Sequence, residues 1–187
     1  VSLVLLADAV VLHYRAGWPD DGPVRRVVPP ELVGMGRLVV AAAGLAVFLG
    51  TVVTGSGPHG GDPDVERLRF DVPDVARAHG LGVVLFLAVT LVTLWRLRKV
   101  GAPAGLVRAG ELLLAVSAAQ AIVGYTQYFT GVPVVLVGIH IAGAAAVWAA
   151  AVRFLAGFSV RAPSAAPAAA TPGPAEVRPA SEGLRRA

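Results

Sequence analysis

The chain alternates between long apolar blocks and short polar connections. Four blocks reach the roughly 20 apolar residues that a membrane-spanning helix needs. They run over Gly34–Thr54, Val75–Trp95, Glu111–Phe129 and Pro133–Phe154. None carries the polar stripe that a soluble amphipathic helix would show along one side. The pattern therefore predicts an all-α membrane protein built as a four-helix transmembrane bundle over 34–155. The opening run 1–12 is too short to span and is read as the end of a truncated transmembrane helix. Residues 13–33 then form a polar loop, and 156–187 an Ala/Pro-rich tail without apolar periodicity that is expected to be disordered.

Composition agrees with this division. Of the 187 residues 56% are hydrophobic and 15% charged, and the mean hydropathy is +0.70. A soluble domain carries about 25% charged residues. With no cysteine, disulfides, thiolate metal sites and cysteine nucleophiles are excluded. The formal charge of +4 arises from basic residues placed between apolar blocks, so no nucleic-acid partner is expected. Their distribution instead orients the chain. Arg15, Arg25, Arg26 and Arg37 lie in 13–37. Arg96, Arg98, Lys99 and Arg108 lie in 96–108. Arg153, Arg161, Arg178, Arg185 and Arg186 follow the last block. Only Arg67, Arg69 and Arg77 belong to the 54–74 connection and the start of the next helix, and the turn near 130–133 has none. The positive-inside rule places the Arg-rich loops and the tail in the cytoplasm of a multi-pass plasma-membrane protein, with surrounding lipid as its partner.

Of the four histidines, His79 and His140 carry the candidate chemistry. Ionisable groups inside membrane helices are rare and usually functional. His79 follows Pro73 by six residues and His140 follows Pro133 by seven, and the two helices run in the same direction. Prolines suit the first helical turn, so both rings lie at a similar depth, about 10 Å along their helices. A glycine stands at i+3 from each, Gly82 and Gly143, beside the modest Val83 and Ala144. Two neutral imidazoles at matched depth beside bare backbone suit axial ligation of a haem iron. Interhelical hydrogen bonding by two packed histidines is the alternative. Zinc fits less well, because third and fourth ligands are missing. His13 is assigned to the membrane interface, and Asp8 to no function.

Two further features bear on the pair. The segments 50–55 (GTVVTG) and 124–131 (GYTQYFTG) each close a helix and precede a proline and then a histidine, as parallel repeats would. Gln120, Gly124 and Gln127 share one helix face, where the amides serve either as interhelical hydrogen-bonding groups or as contacts to a cofactor edge.

Together, TGSGPHGGD at 54–62, RAHG at 77–80 and QAIVGYTQYFTGVPVVLVGIHIAGA at 120–144 resemble the C-terminal half of haem A synthase, over roughly 34–155. The resemblance implies half of an eight-helix pseudo-symmetric protein that oxidises haem O to haem A for terminal oxidase biogenesis. It implies that this half binds haem b (iron) through His79 and His140 and relays electrons from a catalytic site in the other half. Haem O synthase or oxidase assembly factors are the implied partners. Glu111 sits at the cytoplasmic end of its helix and does not match the family's catalytic glutamate. The cysteine pair of some members is absent. Gly82, Gly143 and Gln127 are expected to border the haem. The glycine-rich loop is expected to cap its edge, with His59 near a propionate and not on iron. A stand-alone membrane cytochrome b is the alternative function.

Overall fold

The computed structural model describes residues 2–19, 22–58 and 66–161. Five helices occur in these segments: α1 (Ser2–Ala16), α2 (Pro30–Ser56), α3 (Val72–Lys99), α4 (Ala104–Phe129) and α5 (Val134–Ala156). Four of them, α2 to α5, are long and apolar enough to cross a membrane. Each opens on a proline: Pro30 and Pro73 within the first helical positions, Pro103 and Pro133 at the N-cap. A proline there sacrifices no intrahelical hydrogen bond, because the first amides of a helix have no partner in it. The helices exceed the predicted spans because their polar ends, such as Pro30–Val33 and Arg96–Lys99, continue the same backbone hydrogen bonding.

The chain forms two antiparallel hairpins, α2–α3 and α4–α5. They close into a bundle by packing α2 on α5 and α3 on α4. Consequently α3 and α5 lie diagonally across the bundle. Helix α1 packs on the outside of α5 and runs parallel to it. The Trp148 indole donates to the Leu3 carbonyl at 2.8 Å, and the Arg153 guanidinium lies 3.9 Å from the Tyr14 ring centroid. α1 extends to Ala16, four residues beyond the expected end of the first block.

Burial is uneven along the bundle. The core gathers at the Arg-rich end: Leu32, Val33, Val39 and Ala43 of α2, Phe86 and Leu97 of α3, Leu106 and Leu113 of α4, Ala151 and Phe154 of α5. Polar side chains in this core bond within their own helices, Thr90 to Phe86 O, Thr93 to Val89 O and Ser117 to Leu113 O.

One expectation needs correcting at this end. The tail does not lose structure at 156. Gly157 caps α5, Phe158 is buried against Phe154 and Gly36, and β2 (Ser159–Arg161) pairs antiparallel with β1 (Val24–Arg26). Residues 157–161 are held in place because Phe158 fills the mouth of the bundle, where a Cβ at Gly36 would come within 2.9 Å of its ring. Loop 13–33 likewise contains β1 and the buried Val28.

Candidate functional site

Away from the Arg-rich end, few side chains are buried. Only Gly82 of α3 and Val137 of α5 are buried in the halves of those helices that carry the histidines. The two hairpins pack closely at one end and meet loosely at the other. His79 and His140 lie in this looser half, both half-buried, seven and six residues into their helices.

The two imidazoles face each other across the bundle diagonal. Their centroids are 6.4 Å apart, with planes at 89°. With metal–imidazole bonds of about 2.1 Å and roughly 1.1 Å from ring nitrogen to centroid, two rings on opposite sides of one ion would have centroids about 6.4 Å apart, and two at a tetrahedral angle would be closer. A direct hydrogen bond between two rings brings them closer than this. Among the described residues no group of three or more His, Asp or Glu side chains converges to hold a metal ion. The donor set is thus two imidazole nitrogens in an apolar bundle, too few by themselves to hold a bare cation.

Each ring rests on a glycine of the preceding helix. A Cβ on Gly50 would lie 3.2 Å from His79 Cε1, and one on Gly124 would lie 3.1 Å from His140 Cε1. These glycines open the GTVVTG and GYTQYFTG segments, so the sequence repeat corresponds to a repeated contact. Gly82 and Gly143 have a different place. They were expected to border open space beside the imidazoles. Instead a Cβ on Gly82 would lie 3.0 Å from Leu49 Cδ1 and 3.8 Å from Ala46 Cα, and Gly143 is covered by the Gln120 side chain. The reason is geometric. Position i+3 shares the histidine's face, and that face packs on the other helix of the same hairpin, so the partner helix fills the space.

The hydrogen bonding of the two rings differs. His79 Nδ1 lies 3.0 Å from the Ala46 carbonyl. A carbonyl only accepts, so Nδ1 carries the proton and Nε2 keeps its lone pair for a ligand. His140 Nδ1 is buried with no partner, as are Gln120 Oε1 and Gln127 Oε1. Each such atom has lost its water, at a cost of about 1–3 kcal/mol. All three belong to the α4–α5 hairpin, in the loosely packed half of the bundle.

The other sequence candidates resolve as follows. Gln127 lies on the same face of α4 as Gly124, one turn nearer the helix end, and its main-chain carbonyl accepts from the Val132 amide at 2.8 Å. His59 lies outside the described residues. The loop on either side of it is tied to α2, since Leu68 N donates to Gly55 O at 3.0 Å. Glu111 pairs with Arg98 at 2.8 Å across the α3–α4 connection, which leaves it far from the histidines. Sequence reading did not single out Ala46, whose contribution is its main-chain carbonyl and not a side chain. Comparison of the chain with protein-family models, curated proteins and solved structures returned no match.

Proposed function

We propose that this chain is the haem b-binding half of a haem A synthase, with His79 and His140 as the axial ligands. The observation that carries the reading is the 6.4 Å spacing of two imidazoles on diagonal helices in the loosely packed half of an apolar bundle. The residues present fit the group in donor type, spacing and burial.

The chain's own side chains divide the work. The Ala46 carbonyl holds the His79 tautomer, so that Nε2 is the free nitrogen. Gly50 and Gly124 let each imidazole lie close to the neighbouring helix backbone. Gln127 supplies a buried amide one turn from Gly124, where it can bond a polar edge. The apolar lining excludes water and favours the neutral ligand set. Bound here, a low-spin haem supplies one-electron transfer between its ferric and ferrous states.

Oxidation of haem O to haem A is proposed for the whole enzyme, in a second half with its own histidine pair and carboxylate. One observation favours the second reading, a membrane cytochrome b. Among the described residues the histidine pair gathers no third ligating side chain, and Glu111 is engaged with Arg98, which is the lean set of groups an electron carrier would need. The coding sequence upstream of Val1 separates the two. Four more helices with two further histidines would favour the synthase, and a start codon directly before Val1 would favour the cytochrome.

The experiment is a reduced-minus-oxidised spectrum of the purified chain. A low-spin b-type spectrum is expected, and it should be lost in His79→Ala and in His140→Ala. Retention of the parent spectrum by both variants would show that the ligands lie elsewhere.

A further inference from the structure

The two hairpins repeat one arrangement with a single substitution. In the first, His79 rests on Gly50, and four residues earlier Ala46 faces Gly82. In the second, His140 rests on Gly124, and four residues earlier Gln120 faces Gly143. Ala46 and Gln120 are therefore equivalent positions. The small Ala46 lets α2 and α3 approach until the His79 ring reaches the Ala46 carbonyl at 3.0 Å. At the second position the Gln120 side chain occupies the space over Gly143, and the main-chain bond is not made. His140 Nδ1 and Gln120 Oε1 are left buried and unpartnered beside each other's helix.

We infer that Gln120 is a positioning residue for His140, its side-chain carbonyl accepting the Nδ1 proton as the Ala46 carbonyl does for His79. The chemistry is complementary. A neutral imidazole that donates from Nδ1 presents the Nε2 lone pair, and a carboxamide oxygen accepts that proton. The terminal torsion of a glutamine is broad, so its amide turns without leaving the notch. Gly143 provides that notch, because any side chain there would collide with the amide. The asymmetry has a consequence. His79 is held by rigid backbone, whereas His140 is held by a side chain whose donor strength mutation can change. This inference rests on the reading of the pair as iron ligands, because it assigns Nε2 of His140 to the metal.

Outer hydrogen bonds of this kind raise ligand basicity and tune the metal. The test uses the full chain with haem bound and the variants Gln120→Leu and Gln120→Glu. All three proteins are expected to stay low-spin and six-coordinate. The reduction potential should rise in Gln120→Leu, where the imidazole loses its proton acceptor and donates less to iron. In Gln120→Glu, which keeps an acceptor, it should stay at or below the parent value. A leucine variant with the parent potential, or equal rises in both variants, would mean that Gln120 only fills space. A second readout does not need haem. In the haem-free chain labelled with 15N-histidine, with the His140 signal assigned by its loss in His140→Ala, the ring should be the Nδ1–H tautomer. It should remain so in Gln120→Glu and shift toward Nε2–H in Gln120→Leu. If the parent chain takes up no haem, the ligand reading fails, and the tautomer result alone upholds or overturns the bond to Gln120.

Discussion

A methyl group is enough to test the packing around the two imidazoles. Gly50 and Gly124 each lie against a histidine ring, at 3.2 and 3.1 Å from an added Cβ to Cε1. Those distances are tighter than ordinary contact, so Gly50→Ala and Gly124→Ala should push the rings aside by a few tenths of an ångström. Lower haem content per chain at unchanged helicity is expected, measured by pyridine haemochrome and circular dichroism. Full haem content in both variants would separate these glycines from ligand placement. The histidines were legible in the sequence because a titratable residue inside a spanning helix stands out against apolar neighbours. Their glycine supports were legible only as the first residues of the GTVVTG and GYTQYFTG repeat, not as contacts of the rings. Spacing on one helix pointed to Gly82 and Gly143, whereas the contacting glycines come from α2 and α4, and interhelical register is not written in local periodicity.

Among the elements, the closure of the Arg-rich end depends on the segment that follows α5. Phe158 is 1% exposed, stacked edge-on against Phe154 with centroids 5.1 Å apart. Removing its ring in Phe158→Ala should cost about 3–5 kcal/mol, as for other buried aromatics. A lower thermal midpoint in detergent would report it, and an unchanged midpoint would show that the plug contributes little. Gly36→Ala overpacks the same contact, at a cost of about 1–3 kcal/mol. Combining it with Phe158→Leu should recover part of that loss, because the two positions share one space. Sequence reading ended order at 156 because Gly157, the following prolines and the alanine-rich tail carry no periodic signal. A single aromatic and a three-residue strand are too short for any pattern to register. What orders them is contact with β1 and α2, distant in sequence.

At the scale of the whole molecule, the four spanning helices make this a multi-pass membrane protein, and the uneven charge of its connections predicts its orientation. The absence of cysteine makes that prediction easy to check, since an introduced thiol is unique. A membrane-impermeant maleimide added to intact cells should label Thr130→Cys in the α4–α5 turn. Val100→Cys, in the α3–α4 connection, should label only after the membrane is opened. The opposite pattern would invert the topology. The bundle's asymmetry has a physical basis as well. At the Arg-rich end, large side chains such as Phe86, Phe154 and Phe158 fill the space between hairpins. At the histidine end, glycines and alanines face the interior, and the hairpins have less to bury against each other.

The amino-acid sequence alone determined the number of spanning helices and the matched positions of His79 and His140 along theirs, and it predicts which way they run. These follow from hydropathy, loop charge and a rise per residue that is constant along any helix. Tertiary structure decided the rest: that α3 and α5 lie on a diagonal, that the rings stand 6.4 Å apart, and that one ring is held by a carbonyl while the Nδ1 of the other is buried without a partner. Those facts depend on how four apolar cylinders pack. In an apolar solvent that packing is set by the fit of small and large side chains between helices and not by the hydropathy that marks each helix out.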